Sequence, residues 1–228
     1  MTRLEWDKLP ERMRTDEVRA YYDILEKKAF SLRLKRIFDF TAAVMLLALL
    51  ALPMLVIAVL IKLDSEGPVF YRQERVTQYG RRFRIHKFRT MVADADKIGT
   101  AVTVGNDSRI TKMGSRLRDL RFDELPQLFD VISGDMSFVG TRPEAVKYVK
   151  RYKPEYYATL LLPAGITSEA SIKFKDEAKL LEAAENADET YVNDILPEKM
   201  RYNLGSIKKF SLFSDLCTMI KTVTKVIL

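Results

Sequence analysis

From Phe40 to Ile61 the chain runs 22 residues without a charge, almost all of them apolar, with a single proline at Pro53. A helix of that length reaches across a hydrocarbon core of ~30 Å, so the segment commits the chain to a membrane. Pro53 has no N–H to donate, and its ring crowds the carbonyl four residues back, which predicts a kink or break mid-helix. Positive charge guards both ends: Arg33, Lys35 and Arg36 precede the run, and Lys62, Arg72 and Arg75 follow it. Lys/Arg bias marks the cytoplasmic flank of an ordinary span, and here neither flank is the other's opposite. Two readings stay open on these residues. The helix enters, bends and returns to the same leaflet, or it spans with a tolerated proline, as membrane helices often do.

The rest of the chain is polar. The whole chain of 228 residues carries a formal charge of +7, and 30% of its residues are charged. That length holds one domain comfortably. A single cysteine, Cys217, excludes an internal disulfide and fits a reducing compartment. The apolar run follows a long charged segment, so a cleavable secretory signal is not expected. The positive excess suits anionic headgroups or a phosphorylated substrate. No nucleic-acid motif accompanies it, and no nucleic-acid partner is expected.

Residues 1–31 form a charged extension with a predicted helix over 16–29, whose Val18, Tyr21, Tyr22 and Leu25 recur at helical spacing and suit either the membrane surface or the domain. Residues 32–62 form the membrane element, and 63–228 the polar domain. Val69–Val76 and Phe83–Met91 read as a hairpin around Gln78-Tyr79-Gly80. Met91–Gly105 reads as a connector and Arg109–Leu120 as a helix. Asp123 reads as an N-cap with Pro126 in the first turn of a helix to Ile132. Met136–Val139 is a predicted strand, Glu144–Tyr152 a helix, and Pro163-Ala164-Gly165 a loop. Helices are expected over 175–186, 190–204 and 211–227, the last with an apolar stripe suited to a membrane surface or to core.

Chemistry concentrates at Asp123-Glu124-Leu125-Pro126-Gln127-Leu128. Adjacent carboxylates at a helix start feel the positive end of the backbone dipole, which predicts a lowered pKa and an ionised Asp123. Such a carboxylate can attack phosphorus or hold Mg²⁺. The plainer reading makes Asp123 a cap and Glu124 a first-turn charge. Arg116, Arg118, Arg121 and Arg142 stand close by in sequence, and guanidinium forks bind phosphate in two-point fashion. Against this stands a solvated basic face, and Lys87 and Arg89 invite the same two readings. His86, the lone histidine, reads as structural. A histidine zinc site or a Ser-His triad lacks parts, and no Walker loop or dinucleotide fingerprint is present.

In order along the chain come Lys35-Arg36-Ile37-Phe38-Asp39, the apolar run with Pro53, Gly67-Pro68-Val69-Phe70 and Lys87-Phe88-Arg89-Thr90-Met91. Arg109-Ile110-Thr111, Asp123 to Leu128, Gly134-Asp135-Met136-Ser137 and Gly140-Thr141-Arg142-Pro143 follow. Together, from about residue 32 onward, they resemble the bacterial sugar transferase family of small monotopic phosphoglycosyl transferases. The resemblance implies a helix-rich α+β fold: a re-entrant helix–break–helix at Pro53 and a small cytoplasmic catalytic domain. It implies transfer of a phosphosugar from a UDP-sugar to a polyprenol phosphate, undecaprenyl phosphate, at the cytoplasmic face of the bacterial inner membrane. UMP leaves and membrane glycan assembly begins. Asp123 would be the nucleophile of a covalent aspartyl-phosphosugar, with Asp123 and Glu124 beside Mg²⁺. Arg118, Arg142 and Lys87 would hold phosphate, and Asp215 falls on a further acidic position important in the family. Membrane lipid is an expected partner, and homodimer formation stays open.

The chain departs from the family's pattern at three places. Thr141-Arg142-Pro143 replaces the commoner Pro-Arg-Pro, and Leu52-Pro53 replaces Ser-Pro, losing a hydroxyl that can bond backbone. Gly165-Ile166-Thr167 is followed by Ser168-Glu169-Ala170 in place of Gly-Leu-Ala, and this loop with the segment 175–189 is where sugar choice is expected to differ. The rival class is a non-catalytic membrane-anchored scaffold, which retention of Asp123, Glu124, Arg118 and Arg142 disfavours.

Overall fold

A computed structural model describes residues 4–95, 107–182, 184 and 186–227. The N-terminal extension is part of the core. Helix α1 (Asp16–Lys27) buries Val18, Tyr21, Tyr22 and Leu25, the positions its periodicity selects. They join Leu9 and Met13 against a 3-10 stretch, Pro154–Leu161, and a helix near the C-terminus. Burying each such side chain is worth at most about 1.5–3 kcal/mol. Tyr21 Oη donates to Glu155 Oε1 at 2.6 Å. The expectation left membrane surface and domain open for this helix, and the domain is the answer.

Helix α2 (Ala29–Asp64) is longer than the expected 32–62 and runs as one helical element through Pro53. The predicted break into two helices is therefore not seen. One stripe faces the domain: Leu32, Lys35, Asp39, Ala43, Met54, Ile57 and Ile61 are buried. The opposite side leaves Met45, Leu49, Leu52, Leu55 and Val59 exposed, a face suited to lipid. Both ends are bonded into the same polar domain. Arg36 donates to the carbonyls of Val131 (2.5 Å) and Ile132 (2.8 Å). At the far end Arg89, buried, donates to the carbonyls of Ser65 (2.6 Å) and Glu66 (2.8 Å), just past the helix, and to that of Ile61 in its last turn (3.4 Å). Arg89 is thus a structural clamp on α2.

Strands β1 (Phe70–Val76) and β2 (Arg82–Phe88) form the expected antiparallel hairpin, with Gln73 opposite Ile85 and Arg75 opposite Phe83. Opposite residues share a face, so Gln73, Arg75, Ile85 and Lys87 point to one side. Helix α3 (Lys112–Asp119) is capped by Thr111, whose hydroxyl accepts from Gly114 N at 3.0 Å. Most of the predicted connector before it lies outside the described residues. Helix α4 (Gln127–Ser133) leads through Gly134, at φ 88°, into β3 (Met136–Val139).

The predicted helix over 144–152 is reduced to α5 (Val146–Val149). The predicted loop at 163–165 instead opens β4 (Ala164–Thr167), which pairs parallel with β3. Glycine is required where the chain leaving β3 runs against β4. A Cβ on Gly140 would lie 2.7 Å from the Pro163 carbonyl oxygen, and one on Gly165 would collide with Gly140 backbone. Helices α6 (Glu169–Lys173), α7 (Glu177–Glu182) and α8 (Ala187–Thr190) follow. A π turn, Tyr191–Ile195, then leads into α9 (Leu196–Lys208). Helix α10 (Leu212–Ile227) closes the chain, with Phe213, Ile220 and Val223 exposed. The fold is mixed helix and sheet, as expected of its class.

Candidate active site

The chain turns sharply after α3. Arg121 adopts a left-handed conformation (φ 58°), and a single 3-10 turn, Phe122–Glu124, carries the two acids. Asp123 is therefore not the N-cap expected from the sequence. Helix α4 begins only at Gln127, with Pro126 in the cap position. The turn is pressed against β2, which α4 holds in place. Buried Asp130 accepts from His86 N at 2.9 Å and pairs with His86 Nδ1 at 2.7 Å. His86 acts structurally, and the next residue, Lys87, faces the acids.

Around the dyad the charges are ordered. Glu124 Oε1 receives Lys87 Nζ at 2.8 Å and Arg142 Nη2 at 2.5 Å, and Oε2 receives Arg142 Nη1 at 3.4 Å. Arg142 reaches it from the loop after β3. There Gly140 N donates to Thr167 O (3.0 Å) and Gly165 N to Thr141 O (2.9 Å). Burial pushes the Glu124 carboxyl up, but Arg142 and Lys87 outweigh it and hold the group well below the usual carboxylate range. Glu124 in turn raises the Arg142 pKa, so both stay charged.

Asp123 is placed differently. It is 9% exposed, Lys87 Nζ lies 3.8 Å from its Oδ2, and among the described residues no hydrogen bond engages its carboxylate. Burial raises its pKa above the ordinary value, helped by the Glu124 charge and opposed by Lys87, Arg142 and Arg118. The lowered pKa expected from a helix dipole is thus reversed, because the residue sits in a buried 3-10 turn and not at a helix start. One acid is spent on two cations; its neighbour keeps only the longer ion pair to Lys87.

Of the other expected site residues, Arg118 is half-buried on α3 and acts on Asp123 through its field, without a described hydrogen bond. Arg121 donates to Lys175 O at 3.1 Å, and Arg116 is exposed. Asp215 belongs to another cluster, where buried Lys35 Nζ meets its Oδ2 at 2.6 Å and Asp39 Oδ2 at 3.8 Å. Ser137 Oγ donates to Asp39 at 2.7 Å, so the cluster joins α2, β3 and α10. Asp215 ties the terminal helix down. Pro53 lies in the apolar stretch of α2.

Behind Arg142 lies a cavity of about 200 Å³ that sequence reasoning did not anticipate. Arg75 and Gln73 from β1, Lys87 from β2 and Gln127 from α4 line one side. Glu144, Tyr191 and Lys199 line the other, where Tyr191 Oη donates to Glu144 Oε1 at 2.6 Å and Lys199 Nζ to Tyr191 Oη at 2.8 Å. The alternation of Gln73 and Arg75 along one strand face was the only sequence signal for it.

Comparison with known proteins gives the family. The family described as Bacterial sugar transferase matches residues 30–228. The chain is 36% identical over 197 residues to the UDP-N-acetylgalactosamine-undecaprenyl-phosphate N-acetylgalactosaminephosphotransferase of Aeromonas hydrophila, covering 85% of this chain and 44% of that protein. It is 36% identical over 202 residues to the UDP-glucose:undecaprenyl-phosphate glucose-1-phosphate transferase of Caulobacter vibrioides, covering 87% and 71%. A protein of the same name from Escherichia coli is 35% identical over 197 residues, covering 84% and 40%. The chain thus spans less than half of the Aeromonas and Escherichia relatives. The match takes in α2, the hairpin, the acid pair and the arginine loop, and on it this chain belongs to the bacterial sugar transferase family.

Proposed function

We propose that this chain transfers a phosphosugar from a UDP-sugar to undecaprenyl phosphate. UMP is released through a covalent intermediate on Asp123, and a membrane glycan is begun. The observation that carries the reading is the division of labour in the dyad: a desolvated Asp123 carboxylate without a described hydrogen bond, beside a Glu124 whose charge orients two phosphate-seeking cations. A carboxylate of raised basicity is the better nucleophile once ionised. In the first step an Asp123 oxygen attacks the sugar-bearing phosphorus, and the phosphorus–oxygen bond to UMP breaks. In the second a phosphate oxygen of the polyprenol attacks that phosphorus and restores the carboxylate. Two displacements at one site give ping-pong kinetics.

Lys87 and Arg142 sit where they can neutralise the transferring phosphate while Glu124 fixes their positions. The residues fit Mg²⁺ in one way. Among the described residues no cluster of three or more ligating acids, histidines or cysteines exists, so no all-protein cage forms. Asp123 and Glu124, with the donor's phosphates, would supply the oxygen ligands that Mg²⁺ accepts. Bound there, Mg²⁺ would supply charge neutralisation at the diphosphate.

The membrane reading is a re-entrant α2 that places the domain on the cytoplasmic face of the inner membrane. Supporting it, Arg36 near one end and Ile61–Glu66 at the other bond to the same polar domain, while the far face of α2 is apolar and exposed. An anchor of this kind holds the site at headgroup depth, where a soluble donor meets a lipid acceptor. The test is UMP release across a panel of UDP-sugars with undecaprenyl phosphate and Mg²⁺. Release with at least one donor is expected; none with any donor would leave the scaffold reading standing.

A further inference from the structure

Two side chains of the cavity behind Arg142 are left without the partners their chemistry demands. Gln127, the first residue of α4, is 1% exposed, and neither its Nε2 nor its Oε1 has a hydrogen-bond partner. An orphaned buried donor and acceptor destabilise a fold, so such a group calls for an explanation. Arg75 is the second. Every other cation lining the cavity holds a carboxylate: Lys87 and Arg142 share Glu124, Lys199 holds Glu144 and Glu177, and Lys147 holds Asp188. Among the described residues Arg75 has only a hydrogen bond to Gln73 Oε1, at 2.5 Å. Burial weakens its hold on its proton, with partial relief from Glu144.

A ligand that satisfied both would bring an anionic oxygen for the guanidinium and a planar donor–acceptor edge for the carboxamide. A uridine nucleotide brings both. Its phosphate suits Arg75, and the imide of uracil presents an N–H between two carbonyls, which a carboxamide meets in two-point fashion. An acetamido sugar would also offer a donor and an acceptor. However, the named relatives differ in the sugar and share UDP, and Gln127 lies within the Asp123–Leu128 motif that carries the family resemblance. Resting on the phosphosugar-transfer reading above, we infer that the cavity is the seat of the leaving nucleotide. Gln127 reads the uracil imide, and Arg75 binds the phosphate that departs with UMP. Lys87 and Arg142 are then left to the transferring phosphate. Gln127 is in this view kept unsatisfied in the free protein so that the nucleotide can satisfy it.

The test is calorimetric titration of the full chain in lipid nanodiscs with UMP, uridine, inorganic phosphate and a hexose 1-phosphate, alongside thermal melts. Gln127→Leu should raise the melting temperature, because an orphaned amide is replaced by an apolar side chain of similar size, yet weaken UMP at least tenfold. It should weaken uridine as well and leave inorganic phosphate unchanged. Arg75→Gln should weaken UMP and inorganic phosphate while sparing uridine, and Gln127→Met should behave as Gln127→Leu does. Wild-type affinity for UMP in Gln127→Leu and Gln127→Met would overturn the assignment, as would no binding of UMP to wild type. A hexose 1-phosphate as the one ligand lost in these variants would overturn it too, giving the cavity to the sugar. Failure of the parent reading looks different: UMP binds, and these variants weaken it, but wild type releases none from any UDP-sugar.

Discussion

Replacing Glu124 by glutamine separates the two acids most sharply. The substitution keeps size and one hydrogen-bond acceptor but removes the charge that Lys87 and Arg142 share at 2.8 and 2.5 Å. At an effective dielectric of about 20, unit charges ~4 Å apart attract by about 4 kcal/mol each, before desolvation is counted. Breaking a buried pair from one side costs about 3–5 kcal/mol, because the remaining charges stay buried and unpaired. The side chains of Lys87 and Arg142 keep 21% and 33% exposure, so water screens part of the loss and about 3 kcal/mol is expected. Urea unfolding at neutral pH should show that loss as a lower midpoint at unchanged slope. The pH dependence gives a second sign. The folded pKa of Glu124 lies below its unfolded value of 4.5, so its stabilisation is full above that value and fades as pH falls toward the folded one. Glu124→Gln should lack that acid limb. Asp123→Asn is the internal control: its pKa is raised, so ionisation opposes folding and the neutral amide should leave stability at neutral pH unchanged or higher. An unchanged midpoint for Glu124→Gln, or an equal loss for both variants, would refute the charge assignment.

Cysteines placed at Arg33 and at Lys62 should both label from the cytoplasmic side, and labelling from opposite faces would end the re-entrant reading. Chelation of divalent metal should abolish turnover reversibly, and Arg142→Ala should lower it by an amount equivalent to about 2–4 kcal/mol; full activity in excess EDTA removes Mg²⁺ from the mechanism. Met13→Ala, in the N-terminal extension at 1% exposure, should cost about 2–5 kcal/mol of stability while leaving nucleotide affinity intact. A negligible loss would mean that the extension is not part of the core.

What the sequence disclosed followed local rules. The hairpin was legible because β-prone runs flank a turn where Tyr79 and Gly80 take positive φ. Helix α1 was legible because four apolar residues keep helical spacing. Failures came where long-range packing decides. Pro163-Ala164-Gly165 carries turn residues, yet becomes a strand because glycine lets β4 pass against Gly140. Asp123 before Pro126 has the pattern of a cap, but the left-handed Arg121 diverts the chain into a tighter turn. Arg89 and Arg142 look alike in sequence; one clamps the end of α2 and the other meets Glu124, a choice made by tertiary placement. Gln127 drew no notice in the sequence, since glutamine in a first helical turn needs no explanation until its amide is found buried and alone.

If Asp123 is the nucleophile, the first half-reaction leaves its mark there. Incubating the chain with a UDP-sugar that it uses, without undecaprenyl phosphate, should release at most one UMP per protein molecule and leave a phosphosugar adduct. Peptide mass spectrometry should place that adduct on Asp123, and Asp123→Asn should fold, form no adduct and fail to turn over. An adduct on any other residue, or normal turnover by Asp123→Asn, would contradict the account.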